Sequence, residues 1–513
     1  MASKKQKVLI SILFITCVVI LIIFIFLFEP LEIIDYTEKS NIEQRRKPNI
    51  IILLLDCVRA DHLSCYAYIR NTSPTIDTLA AHGVKFNYAI SQAPWTFPSV
   101  FSLLSGHYPY KHGKWLIHKK GEPLWQKLMM PSKSVPLLPE LLQKAGYLTW
   151  GFSTNHFINE DRMIKRGFDG FKYVWKAPAM EVVNYGIEKI RWVEKTGNHF
   201  FLYLHFMDSH PPLQPPEKYY NFFPASDGEK NKKIHENWEF KRYIDQQGNE
   251  FENYRDHKIS LYDGTIRYTD AEIGRLITEL KSSSLINSTI VILLADHGEE
   301  FWEHAEFEAT HYQSFQKWQG VSHAHTLFQE LIRVPLIITN FPPKEKSFSL
   351  QWQPTEIQDM VQLVDLVPTL IDHIGLSPIA DCDGSSLLPL ISGRPSSSFN
   401  DNIRLTHRSI FSQTTAGGNL KISLIKFPYK FIYAYKETNA LFNLEKDPNE
   451  RENLDSKNLK VASNMLRKVL RFKEDKPPET GEIHFSEDDL EKLKTLGYID
   501  NDRETSILEN PYK

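Results

Sequence analysis

Asn49-Ile50-Ile51-Ile52-Leu53-Leu54-Leu55-Asp56 decides the fold. It is apolar without a break from Ile50 to Leu55 and ends in an acid. An unbroken run of this length reads as a strand buried on both faces, as in a parallel sheet covered by helices. Two later runs follow the same plan. Phe200-Phe201-Leu202-Tyr203-Leu204-His205-Phe206-Met207-Asp208 ends in acid and is followed by His210; Thr289 to Ala295 ends in Asp296-His297-Gly298. A fourth, Val334 to Thr339, has no terminal acid. Helical patterns separate the runs: Ser73 to Gly83, Val135 to Gly146, Tyr262 to Leu280 and Val361 to Gly375. Strands alternating with helices predict an α/β fold with a doubly wound, mostly parallel sheet. Ligands bind such sheets beyond the carboxyl ends of the strands, where Asp56, Asp208, His210, Asp296 and His297 would gather.

The flanks have other characters. Val8 to Phe28 is an almost unbroken apolar run, long enough at about 1.5 Å per residue to span a bilayer core of about 30 Å. Lys4, Lys5 and Lys7 precede it, and no Lys or Arg follows until Lys39. The positive-inside rule then predicts a transmembrane signal anchor at 8–28, a cytoplasmic tail at 1–7 and an extracytoplasmic remainder. The sequons at Asn71 and Asn287 fit that side. Residues 29–47 read as a linker and 48–400 as the catalytic domain. Residues 216–260 read as an insertion or lid. From 401 to 475, short apolar runs predict a small antiparallel sheet followed by a helix at Leu459 to Phe472. A polar tail, 476–513, carries one more helical patch at Ser486 to Leu496.

With 42% hydrophobic residues among 513, the chain can bury a sizeable core. A formal net charge of −3 gives no argument for nucleic acid as a partner, and none is expected. Four cysteines (Cys17, Cys57, Cys65, Cys382) form no disulfide framework and lack zinc-finger spacing; whether Cys57 and Cys65 pair stays open.

The chemistry centres on Ala93 to Gly106. Thr96 reads as a helix cap, Pro98 fits the first turn and Gly106 ends the helix. A hydroxyl there faces the free N–H groups of the first turn, which favour an anion. Asp56, Asp296 and His297, with the Thr96 oxygen, make one divalent-metal site for Mn²⁺, Ca²⁺, Mg²⁺ or Zn²⁺. A metal on the Thr96 oxygen would lower its pKa for attack. His323-Ala324-His325 supplies two imidazoles for the substrate anion, a leaving oxygen or a second metal. Asn155-His156 follows a strand-like Leu148 to Ser153 and can face the site. Glu303-His304 reads as structural.

These residues carry a resemblance. Pro48 to Asp56, Arg59-Ala60-Asp61-His62-Leu63, Pro74-Thr75-Ile76-Asp77-Thr78-Leu79-Ala80 and Gly83-Val84-Lys85-Phe86 resemble the N-terminal half of the sulfatase family, within the alkaline phosphatase superfamily. So do Leu103 to Pro109, Lys144-Ala145-Gly146-Tyr147, Asp296-His297-Gly298-Glu299, Ile332 to Ile337, Leu363 to Leu370 and Leu441 to Pro448. The resemblance runs from about Pro48 to about Leu454. It implies that Asp56, Asp296 and His297 bind the metal, that Thr96 holds the nucleophile position, that His210 contacts the substrate anion beside Asp208, and that His156 belongs to the site. Three departures matter. The family's Cys-x-Pro-Ser-Arg motif, whose Cys becomes formylglycine, reads Thr96-Phe97-Pro98-Ser99-Val100 here. The second Asp of its Asp-Asp pair is Cys57. The Lys before its Arg-x-Pro segment is Ala324, between His323 and His325. A Thr nucleophile resembles instead the membrane-anchored phosphoglycerol and phosphoethanolamine transferases of the superfamily. Three readings follow: a one-metal hydrolase or transferase acting on a sulfate or phosphate ester; a two-metal phosphodiesterase with Asp208, His210 and His325 on the second ion; and an inactive anchored binding protein.

Overall fold

The computed structural model describes residues 47–113, 127–129, 131–159, 164–224, 248–312, 320–340, 352–392, 408–416, 419–474, 482–484 and 486–496. The expected membrane anchor, 8–28, lies outside the described residues, as do most of its linker and residues 225–247 of the expected lid. Among the described residues no helix is long and apolar enough to cross a membrane.

The strands in chain order are β1 (Asn49–Leu55), β2 (Val84–Ile90), β3 (Lys127–Met129), β4 (Leu148–Ser153), β5 (Gly170–Tyr173), β6 (Phe200–Phe206), β7 (Thr289–Ala295), β8 (Glu300–Phe301), β9 (Val321–Ser322), β10 (Arg333–Asn340) and β11 (Thr355–Gln362). Eight of them form one sheet in the order β11-β2-β10-β7-β1-β6-β4-β5. β1, β6 and β7, the runs that end in acids, lie side by side at its centre and are buried along their whole length. β1 pairs in parallel with both β6 and β7, and β4 in parallel with β5 and β6.

The fourth apolar run, β10, departs from the parallel plan. It is antiparallel to both β7 and β2. Its carboxyl end therefore points to the opposite edge from Asp56 and Asp296, which accounts for its missing terminal acid. β2 and β11 pair in parallel beyond it. Val361, expected to begin a helix, belongs to β11.

The helices used below are α1 (Pro74–Ala81), α2 (Thr96–Ser105), α3 (Leu138–Lys144), α4 (Ala179–Thr196), α5 (Asn249–Ser282) and α6 (Leu366–His373). Every side chain of α2 is buried, so this helix runs through the core rather than along its surface. Its cap is extended Trp95, and Thr96 is its first helical residue, not its cap. Gly106 closes it at φ 74°, a left-handed turn that glycine adopts without strain. α5 has 34 residues and starts well before Tyr262, inside the stretch expected to be an insertion. His257, Lys258 and Asp263 are buried polar residues that interrupt its apolar stripe, and Asp263 meets His62, Tyr68 and Arg70.

A second sheet, β12 (Ile410–Thr414), β13 (Lys421–Lys426), β14 (Tyr429–Ala434) and β15 (Ala440–Asn443), is the expected small antiparallel meander with one extra strand. α7 (Leu459–Glu474) packs on β13 and β14. The tail folds back: β16 (Glu482–His484) pairs antiparallel with β3, and Leu493 and Leu496 of α8 (Glu487–Thr495) and its last turn are buried in the main core. Cys57, Cys65 and Cys382 are free thiols.

Candidate active site

β7, β1, β6 and β4 are neighbours running the same way, so their carboxyl ends present Asp296, Asp56, His205 and Asn155 in a row. The Asp56 N–H continues the ladder to Phe206 O at 2.9 Å. Cys57 then turns the chain at φ 60°. Ser209 Oγ donates to Asp56 O at 2.5 Å. Tyr262 Oη, from α5, donates to Cys57 O at 2.6 Å and accepts the Arg59 N–H at 2.9 Å. The turn that aims Asp56 and Cys57 inward is thus clamped from two sides.

Thr96 closes the cluster from α2. Its Oγ1 lies 3.2 Å from His297 Nε2 and 3.5 Å from each Asp56 oxygen. Asn155 Nδ2 donates to Asp56 Oδ2 at 2.6 Å and to Thr96 Oγ1 at 3.3 Å, bridging the acid and the hydroxyl. His297 donates Nδ1–H to Gly298 O at 2.9 Å, which leaves Nε2 facing Thr96, Asp56 and Asp296. Gly298 makes this turn possible, since a Cβ there would come within 1.9 Å of Glu330 O.

His205 is the functional residue that sequence reading missed. Its Nε2 lies 3.1 Å from Asp56 Oδ2 and its Nδ1 3.2 Å from Tyr203 Oη, two residues back on the same strand face. The signal was present: one imidazole within an otherwise apolar strand, one row from its carboxyl end.

Two carboxylates this close cannot both hold charge comfortably. Burial opposes the charge on Asp56, but the His205 hydrogen bond and the nearby imidazoles hold its pKa well below the usual range. Burial and the Asp56 charge push Asp296 well above it. Asp296 Oδ2 is buried with no hydrogen-bond partner among the described residues. Ligand atoms of Asp56, His205 and Asp296 lie within 4.8 Å of one another, as do those of Asp56, Cys57 and His297. An orphaned carboxylate oxygen amid carboxylates and an imidazole lone pair is what a divalent cation would satisfy, so these residues fit the metal that the family resemblance implies.

The other expected site residues divide. His210 and His323 join the cluster: both are buried, their rings 4.9 Å apart, and His323 lies 4.5 Å from the His297 ring. Burial lowers the His210 pKa to about 3. His210 Nδ1–H donates to Pro211 O at 2.6 Å, so Nε2 carries a lone pair and is not set to donate to an anion. His325 turns away, with Nε2 3.2 Å from Glu300 Oε2 and 3.3 Å from Glu308 Oε2. Asp208 accepts the Ala179 N–H at 3.1 Å at the start of α4, and burial raises its pKa to about 7. Asp208, His210 and His325 are therefore not brought together as a second-ion site. His156 pairs Nε2 with Asp489 of α8 at 2.7 Å and Nδ1 with Tyr173 Oη at 3.0 Å. His304, read as structural, pairs with Glu330 at 2.5 Å.

Comparison with known proteins gives the family. The family model described as Sulfatase matches residues 48–376, and that described as N-sulphoglucosamine sulphohydrolase, C-terminal, matches 319–475. An arylsulfatase of Clostridium perfringens is 24% identical over 83% of this chain and 94% of its own. A Delta 4,5-hexuronate-2-O-sulfatase of Bacteroides thetaiotaomicron is 25% identical over 80% and 85%. The crystal structure of a phosphonate monoester hydrolase of Agrobacterium radiobacter superposes with a TM-score of 0.61, at 18% identity, over 83% of this chain and 95% of the other.

Proposed function

The chain belongs to the sulfatase family of the alkaline phosphatase superfamily, whose members are metal-dependent ester hydrolases, and on that premise we propose that Thr96 is the nucleophile and a phosphate ester the preferred substrate. The observation that carries this reading is the Thr96 hydroxyl, buried at the first residue of α2 and in reach of Asp56, His297 and Asn155. Asp56, Asp296 and His297 would hold a divalent ion (Mn²⁺, Ca²⁺, Mg²⁺ or Zn²⁺), which would supply Lewis acidity to the reacting oxygens. Thr96 Oγ1 bonds to phosphorus and releases its proton to solvent as the bond to the departing alcohol breaks and that alcohol's oxygen takes up a proton from solvent. The positive end of the α2 dipole favours the negative charge of the phosphoryl oxygens. Water or an alcohol then displaces Thr96, which recovers its proton.

The choice of phosphorus follows from the nucleophile. A formylglycine hydrate expels sulfate by collapsing its geminal diol. A threonine ester has no second hydroxyl to collapse, so an acceptor must displace it, which phosphorus allows readily. Sulfate esters of glycans are the second reading, favoured by a relative named as a hexuronate sulfatase. The apolar run at 8–28 and the lysines before it support an anchored protein whose catalytic part lies outside the membrane.

The test uses the full chain in detergent, stripped with chelator and refilled with each of the four ions. Nitrophenyl sulfate, a phosphate monoester and a phosphodiester are assayed in parallel. Metal-dependent phosphoester cleavage that falls about 1,000-fold or more in Thr96→Ala is the expected result. Sulfate release that survives Thr96→Ala overturns the reading. Inertness toward all three esters, with no metal retained, leaves a binding protein.

A further inference from the structure

We infer that Cys57 is a further ligand of the ion placed at Asp56, Asp296 and His297 under the proposed function, on which reading this rests, and that the ion is a thiophilic one of the zinc class rather than Ca²⁺ or Mg²⁺. Cys57 Sγ lies 3.3 Å from Asp56 Oδ1 and 4.0 Å from His297 Nε2, and those two atoms are 3.5 Å apart. Thr96 Oγ1 stands 3.2 Å from His297 Nε2 and 3.5 Å from Asp56 Oδ1. All four residues are buried. A tetrahedral ion about 2.0–2.1 Å from oxygen and nitrogen and about 2.3 Å from sulfur spaces its ligands about 3.3–3.6 Å apart. The separations here outline that shape, with a carboxylate, a thiol, an imidazole and the Thr96 hydroxyl at its corners.

Three of the corners are held from behind. Asp56 Oδ2 accepts from Asn155 Nδ2 at 2.6 Å and lies 3.1 Å from His205 Nε2, which leaves Oδ1 for Cys57 and His297. His297 donates its Nδ1–H to Gly298 O at 2.9 Å, a carbonyl that can only accept, so the lone pair is on Nε2. A carbonyl on the far nitrogen is the usual outer support of a metal-bound imidazole. Cys57 takes φ 60°, rare for a residue with a side chain. Its N–H donates to Asp296 Oδ1 at 3.3 Å and its carbonyl accepts from Tyr262 Oη at 2.6 Å. Asp296 Oδ2, buried with no hydrogen-bond partner among the described residues, lies 3.4 Å from His297 Nε2 and can fill a fifth position.

The donor set decides the ion. Oxygen ligands alone suit Ca²⁺ and Mg²⁺, whereas a thiolate beside an imidazole suits Zn²⁺. Burial and the neighbouring carboxylates push the Cys57 thiol pKa well up. A divalent cation inverts that balance, because a coordinating thiol loses its proton outright. The rival role is plainer: a protonated Cys57 that donates to Asp56 Oδ1 and touches no ion. Among the described residues Cys65 and Cys382 belong to no group of metal-ligating side chains, so a metal–thiolate signal reports Cys57.

The full chain in detergent is stripped with chelator and loaded with Co²⁺, a coloured substitute for Zn²⁺. The near-ultraviolet thiolate charge-transfer band is read beside the metal bound per chain. Zn²⁺ and Ca²⁺ affinities are then compared in the unaltered protein and in Cys57→Asp. A thiolate band that grows in step with bound Co²⁺ and is absent from Cys57→Ser is the expected result. Cys57→Asp should lower the ratio of Zn²⁺ to Ca²⁺ affinity by about 100-fold or more, since a direct ligand outweighs the roughly 10–100-fold effect of an outer one. Bound Co²⁺ without the band, a band kept by Cys57→Ser, or an unchanged ratio in Cys57→Asp overturns the inference. The spectrum of the unaltered protein can overturn it even where a variant does not fold. Bound Co²⁺ without the band refutes the Cys57 ligand and leaves the Thr96 reading standing. The band, in a protein whose phosphoester cleavage survives Thr96→Ala, refutes only the assignment of Thr96. A chain that binds no Co²⁺ refutes both.

Discussion

Two buried clusters use the same side chains in opposite senses. Glu299 and Glu300 are consecutive, and His323 and His325 are two apart, yet Glu299 pairs with His323 at the site while Glu300 pairs with His325 away from it. In the first cluster burial pushes the imidazoles of His210, His297 and His323 toward the neutral form. In the second, burial is overcome by carboxylates. Glu308 and Glu300 hold the pKa of His325 well above the ordinary value, and Glu330 raises His304 to about 9. A neutral imidazole keeps a lone pair for a cation or a proton; an imidazolium between carboxylates has none to give. The difference is therefore one of charge: the first cluster keeps imidazole lone pairs, whereas the second spends its imidazoles on carboxylates.

The largest break in that comparison comes from Asp56→Asn. It should lower activity by about 1,000-fold or more, since it removes charge from the reacting centre. An Asp56→Asn protein that melts early and keeps its activity would move Asp56 to the structural side.

Glu330→Gln should do the reverse. His304 Nδ1 lies 2.5 Å from Glu330 Oε1, with both side chains buried, and its Nε2 meets Glu450 O at 3.2 Å. Breaking a buried pair typically costs about 3–5 kcal/mol, but imidazole can shed its proton where arginine cannot, so about 2–3 kcal/mol is expected by chemical denaturation. Turnover per folded molecule should be unchanged. A loss of turnover without loss of stability would place Glu330 at the site.

The same pair gives a pH signature. A histidine with a folded pKa of about 9 binds its proton more tightly than in the unfolded chain, where it titrates near 6.5. Its contribution is fully present below pH 6.5 and is lost as the pH rises through 9, on the order of 3 kcal/mol in all. Denaturation across that window should show the decline in the unaltered protein and a flatter profile in Glu330→Gln. Equal slopes would mean that another group titrates there.

β1, β6 and β7 were legible because each is a nearly unbroken apolar run, and Asp56, Asp296 and His297 because they follow such runs, whereas β4 (Leu148–Ser153) is mixed in character. His205 was hidden inside such a run, where it looked like one more strand residue. His325 was misread for the opposite reason. Its spacing from His323 predicts one shared side, but Ser322 and Ala324 both take left-handed backbone, at φ 76° and 79°, which breaks the two-residue alternation of an extended segment. Nothing in the residue types at those positions announces it. Asp208 shared the strand-end pattern but caps α4 instead, and only the position of that helix decides between the two uses.

The smallest effect concerns His156, which looked like a site residue from its place after β4 and meets Asp489 of the tail instead. The contact joins a buried imidazole to a carboxylate that is 19% exposed. A partly exposed pair of this kind contributes about 1 kcal/mol or less. Leu493 and Leu496, buried against the main core, do more to hold α8 in place. Asp489→Asn keeps an acceptor oxygen but removes the charge. It should therefore lower stability by about 1 kcal/mol at most, read from denaturant midpoints at constant slope, and leave kcat unchanged. If kcat instead fell tenfold while the midpoint stayed in place, the Asp489 carboxylate would be orienting His156 toward the reacting centre. The tail would then belong with the first cluster, as part of the apparatus that receives the substrate.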